Sequence, residues 1–100
     1  MPFDPPMPRS FSTSSIRANA PSASGVYGIS NAREWIYIGE TDNIRAALLS
    51  HLRASDTSIM ERQPTGFVFE VCDSGRRPGR LDRLVLEFEP SCNRQSSRYQ

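Results

Sequence analysis

The chain is 100 residues long, with 37% hydrophobic and 23% charged residues and a formal net charge of +1. That length accommodates one domain with a modest core, and the near-neutral balance excludes binding of a polyanion through bulk charge alone. No apolar run reaches membrane-span length and residues 1–23 lack the apolar segment of a secretory signal, so no membrane association is expected and the cytoplasm is the expected compartment.

All twelve basic residues are arginine, so any phosphate contact would come from a planar guanidinium able to bond bidentately. Cys72 and Cys92 fit no metal-ligand spacing and read as reduced thiols. Residues 1–23, MPFDPPMPRSFSTSSIRANAPSA, are rich in Pro and Ser without apolar periodicity. They read as a disordered extension, and residues 94–100 as a flexible tail, leaving a folded unit over residues 24–93.

Within that unit GVYGIS (25–30) has the alternation and β-formers of a strand. Asn31 is a turn residue, and WIYIG (35–39) is a second strand, so the pair reads as an antiparallel hairpin. Thr41 or Asp42 then serves as N-cap for NIRAALLSHLRA, where Ile44, Ala47, Leu48, His51 and Leu52 recur at helical spacing. Residues 54–66 read as a loop with room for a single helical turn. FVFEVCD (67–73) is a third strand, with Phe67, Phe69 and Val71 on one face and Val68, Glu70 and Cys72 on the other. RLDRLVLEFE (80–89) is a second helix with Leu81, Leu84, Val85 and Phe88 on one side, stopped by Pro90. The order β-β-α-β-α makes an α+β domain, a small three-stranded antiparallel sheet flanked by helices.

The triplets GVY and YIG, with their tyrosines ten positions apart, the segment ETDNIRAALLSH and the distal Pro90-x-x-Asn93 together resemble the GIY-YIG nuclease superfamily. The resemblance spans residues 25–93. It implies hydrolysis of a phosphodiester with one divalent metal, Mg²⁺ or Mn²⁺ if the site is active, and no other cofactor. Such chemistry needs a base or polarised water, cations around the developing charge and a carboxylate for the metal. By the same resemblance Tyr27 and Tyr37 belong to the catalytic pocket, Gly39 permits a tight turn into the helix, His51 assists proton transfer and Asn93 fixes the pocket.

Two positions depart from the family pattern. Its first-helix arginine falls on Ala47, and Arg45, two residues away, lies about 200° around the helix. Its metal-binding glutamate falls on Leu81, with Asp82 adjacent as a weaker metal candidate and Glu70 a more remote one. Candidate nucleic-acid contacts are Arg45, Arg53, Arg76, Arg77 and Arg80, although the arginines of GRRPGRLDR read first as a solvated loop and helix start. Glu40 and Asp42 add negative charge near the pocket mouth, against tight binding of a phosphate backbone. Trp35 suits a structural aromatic, or a base-stacking one.

Three functions remain open on these residues. One is an impaired or inactive nuclease-like domain retained for binding DNA, RNA or a protein partner. Another is an active metal-dependent endonuclease with a rearranged site. The last is a structural or interaction protein with a vestigial pocket.

Overall fold

The computed structural model describes residues 9–53, 59, 61–88 and 90. Its strands are β1 (Arg9–Ser10), β2 (Gly25–Ser30), β3 (Trp35–Thr41) and β4 (Gly66–Val71), and its helices α1 (Thr13–Asn19), α2 (Ile44–Arg53) and α3 (Arg77–Phe88). The strands form one antiparallel sheet in the order β1-β4-β2-β3. The α+β class holds, and β1 adds a short fourth strand to the three expected.

The β2–β3 hairpin turns where Asn31 predicts it. The Asn31 Oδ1 accepts the amides of Arg33 (2.8 Å) and Glu34 (2.9 Å), the local bonding that makes Asn a turn residue. Beyond the turn, Ser30 pairs with Trp35 but Ile29 pairs with Tyr37, so Ile36 is a bulge residue. The bulge breaks the alternation of WIYIG. Ile36 and Tyr37 pack with one core cluster, while Trp35 and Ile38 pack with the other.

Those clusters lie on opposite faces of the sheet, as the alternation of Val26 and Tyr27 along β2 dictates. On one face Tyr27, Ile29, Ile36 and Phe67 meet Ile16 of α1 and Ile44, Leu48 and Leu49 of α2. On the other, Val26, Ile38 and Val68 meet Leu84, with Leu81, Val85 and Phe88 of α3 packed alongside. The helical stripes read from the sequence are thus the buried ones, each needing one sheet face to leave water.

The N-terminal segment differs from expectation. Phe11, Ile16 and Ala20 are buried in the first core cluster, and residues 9–19 carry β1 and α1 rather than a disordered extension. The physical reason is that α2 buries Leu49 as well as Ile44 and Leu48, so its apolar surface extends beyond the sheet and α1 covers it. Two boundaries shift too. Asn43, not Thr41 or Asp42, caps α2, its Oδ1 accepting the Ala46 amide at 3.0 Å. Helix α3 starts at Arg77, three residues early, because Asp73 Oδ1 accepts the Arg76 amide (3.0 Å) and Pro78 suits a first helical turn. No helix among the described residues is long and apolar enough to cross a membrane.

Candidate active site

Three of the residues singled out in the sequence come together on the α2 face of the sheet. Tyr27 on β2 and Tyr37 on β3 have ring centroids 6.1 Å apart, and the His51 ring lies 5.6 Å from Tyr27 and 5.3 Å from Tyr37. The Tyr27 hydroxyl and His51 Nε2 share a hydrogen bond of 2.7 Å. Period-two spacing aims both tyrosines at one face, and the 3.6-residue period of α2 turns His51 toward it. A phenol bonded to an imidazole is a pair that can accept and pass a proton.

Gly39 belongs to the same place, for a reason other than the expected tight turn. It sits within β3 opposite Tyr27, and its φ is not positive. A Cβ there would lie 2.8 Å from the Tyr27 hydroxyl, 2.8 Å from Tyr37 Cε2 and 2.9 Å from Tyr27 Cζ. The missing side chain is the space the phenols occupy.

The positions that the resemblance assigns to charge stabilisation and metal binding lie apart from this cluster's hydrogen bond. Ala47, one turn before His51, packs its methyl against the first core cluster. Arg45 points elsewhere, its Nε donating to the Ala20 carbonyl at 2.9 Å. Leu81 packs with the second cluster on the α3 face and offers no donor atom to a metal. Asp82 is exposed, and both Glu70 oxygens accept from Arg80, at 2.7 and 2.8 Å. Among the described residues no three His, Cys, Asp or Glu side chains are grouped to hold a metal ion. Among the described residues the donor set at these positions does not fit the divalent cation that the resemblance implies.

The remaining arginine candidates are divided by their partners. Arg77 Nη1 donates to Asp42 Oδ1 at 2.6 Å, and its Nε lies 3.5 Å from Glu40 Oε1. Arg80 forms the bidentate pair with Glu70, which raises its guanidinium pKa chiefly through that hydrogen bond. Arg76 is exposed. The Arg53 side chain, Cys92, Asn93 and residues 94–100 lie outside the described residues. Trp35 takes the structural role, its ring 4.6 Å from that of Phe88 on α3. Cys72, beside the two arginine pairs, has its thiol pKa raised by burial and then by the charges of Glu70 and Asp73, with Arg77 and Arg80 opposing. Such a thiol is a poor nucleophile at neutral pH.

Sequence reasoning missed the Asn43 cap, although Asn immediately before the first apolar helical residue is a strong cap signal. It also missed both arginine–carboxylate pairings, for which local sequence carries no signal.

Comparison with known proteins bears on the fold. No family model matches the chain. Proteins named excinuclease cho from Salmonella typhi and Salmonella typhimurium are 34% identical to it over 85 residues, covering 81% of this chain. The chain spans only 29% of the length of those relatives. Among solved structures, it is similar to the GIY-YIG N-terminal endonuclease domain of UvrC from Thermotoga maritima bound to its catalytic divalent cation, magnesium. That likeness has a TM-score of 0.64 at 22% identity and covers 75% of this chain and 91% of that domain. A tyrosine-to-phenylalanine form of the same domain gives a TM-score of 0.62 at 24% identity, covering 75% and 90%.

Proposed function

Because this chain is a domain of the GIY-YIG fold, with the paired tyrosine motifs of that superfamily in place, we propose that it is a nuclease-like domain that binds nucleic acid without efficient cleavage. The observation that carries this reading is Ala47 beside His51, with Arg45 bonded to the Ala20 carbonyl. Tyr27 and His51 can relay a proton, but attack at phosphorus also builds negative charge that a cation must meet. Removing one preorganised group of that kind lowers a rate by roughly 10²–10³. Replacement of the metal carboxylate by Leu81 removes a second, and the two losses together take a modest nuclease to background.

DNA is the favoured partner, because the solved relatives are endonuclease domains and the cho relatives are named excinucleases. The cytoplasm is the favoured compartment. The test pairs catalysis with binding. Supercoiled plasmid is incubated with the protein and Mg²⁺ or Mn²⁺, beside a Tyr37→Phe variant that excludes a contaminating nuclease. Anisotropy of a labelled DNA duplex is measured as salt rises. Salt-sensitive binding without nicking is the expected result. Nicking that Tyr37→Phe abolishes refutes impairment, and absence of any salt-sensitive binding refutes the nucleic-acid reading in favour of a protein partner.

A further inference from the structure

Strand β1 covers only the first part of β4. Its residues pair with Phe67 and Gly66, and among the described residues no strand lies on that side of β4 from Val68 to Val71. Two hydrogen bonds fix which backbone groups this leaves open. The Cys72 amide donates to the Ser24 carbonyl at 3.0 Å, so Cys72, Glu70 and Val68 turn their backbone polar groups toward β2. The Phe11 amide donates to the Thr65 carbonyl at 3.0 Å, so Thr65, Phe67, Phe69 and Val71 turn theirs to the other side. Phe69 and Val71 therefore present a short ladder of N–H and C=O groups at the edge. Val71 is also 58% exposed, on the sheet face of Phe67 and Phe69. From Gly66 to Val71 the strand has no proline, and its one charge, Glu70, gives both oxygens to Arg80. An edge so unguarded is a template for another strand.

We propose that a second copy of this chain docks here, β4 against β4 about a twofold axis, with Phe69 opposite Val71 of the second copy and Glu70 opposite its own counterpart. In that register outward-facing residues meet outward-facing residues on both strands, so the ladder closes without a slip. Each Val71 is covered by the Phe69 it meets. The central glutamates are each neutralised by the Arg80 of their own chain. Charge favours the ends of the contact. The register brings Asp73 of the second copy in line with Phe67, where Arg9 of β1 already sits, and both side chains are exposed. Symmetry makes this opposite-charge approach twice. The chain's own first residues are a poorer occupant: continued from Arg9 in the register of β1, they would set Pro5 opposite Val71, and proline has no N–H to give.

Sedimentation equilibrium of the full chain, from micromolar to millimolar concentration, measures the association. Wild type should move toward the dimer mass as concentration rises. Val71→Lys should weaken the dimer roughly tenfold or more, because it removes an apolar contact from both halves and guards the edge with charge. Disulfide trapping in a Cys72→Ser/Cys92→Ser background reads the register: Glu70→Cys, on the twofold axis, should cross-link to itself, whereas Arg83→Cys on the outer side of α3 should not. Urea unfolding shows that each variant is folded. If Glu70→Cys is not, hydrogen exchange replaces it, since the Phe69 and Val71 amides should be protected more as concentration rises. A dimer that Val71→Lys leaves unchanged has its interface elsewhere and overturns the inference. A wild type that stays monomeric overturns it too, and the same two amides then report what holds the edge. Protection in the monomer assigns it to the chain's own first residues, and free exchange leaves it to a different partner.

Discussion

Replacing Gly39 by alanine tests the site at a single atom. The added Cβ would stand 2.8–2.9 Å from three atoms of Tyr27 and Tyr37, closer than real Cβ contacts allow. Tyr27 is 4% exposed and bonded to His51, so its ring has little room to retreat without breaking that bond. Overpacking of this kind costs about 1–3 kcal/mol, and the lost hydrogen bond about 0.5–1.5 kcal/mol. Restricting the unfolded chain returns about 0.4–1 kcal/mol. The net is a destabilisation on the order of 2 kcal/mol, which for a domain of this size lowers Tm by roughly 8–16 °C.

Urea unfolding followed by Trp35 fluorescence measures the cost, and nuclear Overhauser contacts between the Tyr27 and His51 rings report whether the bond survives. The Tyr27→Phe background sharpens the test. There the hydroxyl clash and the hydrogen bond are already gone, so Gly39→Ala should cost about 0.5–1.5 kcal/mol less. Gly79→Ala is the control. A Cβ at Gly79 meets nothing within 4 Å, and in helix α3 the change should stabilise by about 0.5–1 kcal/mol. A Gly39→Ala protein within about 0.5 kcal/mol of wild type, with its Tyr27–His51 contact intact, would refute the claim that the glycine exists to seat the phenols.

Asn43→Ala removes the cap on α2 and should cost about 1 kcal/mol in urea unfolding, with Asn43→Asp close to wild type. Cys72, studied in a Cys92→Ser background, should react with iodoacetamide more slowly than an unfolded cysteine at mildly alkaline pH. Its folded pKa is raised above the ordinary 9.0, so its contribution to stability is complete below that value and is lost as pH rises through the folded pKa. Equal reactivity in the folded and urea-unfolded protein would contradict this. Repair of the two divergent positions by Ala47→Arg/Leu81→Glu should yield metal-dependent plasmid nicking, at a cost of roughly 1–3 kcal/mol because Leu81 leaves an apolar cluster. A correctly folded double variant that remains inert would show that these are not the lost catalytic positions.

The parts of this protein that a linear reading recovers are those whose physics is periodic. Alternation along β2 and β4 assigns both sheet faces, and the Ile44–Leu48 and Leu84–Phe88 spacings assign the buried sides of α2 and α3. The same two periods bring Tyr27, Tyr37 and His51 together, which is why their cluster is legible in the sequence. Elsewhere periodicity has too few residues to work with. Helix α1 is 7 residues long and buries only Ile16, so its stripe is invisible beside the Ser and Pro around it. The bulge at Ile36 breaks the one alternation that would have assigned Trp35 to its face.

Charge is legible least of all, because a carboxylate finds its arginine through topology. Arg77 and Asp42 are 35 positions apart, and meet because α3 begins where β3 runs into α2. Arg80 and Glu70 meet because that same helix starts beside β4. Counting arginines therefore overstates the cation available to a phosphate. Arg45, Arg77 and Arg80 are engaged by Ala20, by Asp42 with Glu40, and by Glu70 respectively. A proton relay needs only neighbours that local spacing supplies, whereas transition-state charge needs a cation that nothing else in the fold has claimed. On the reading proposed above, that asymmetry would let a chain keep the signature triplets and the geometry of its tyrosines while its arginines are engaged in holding the domain together.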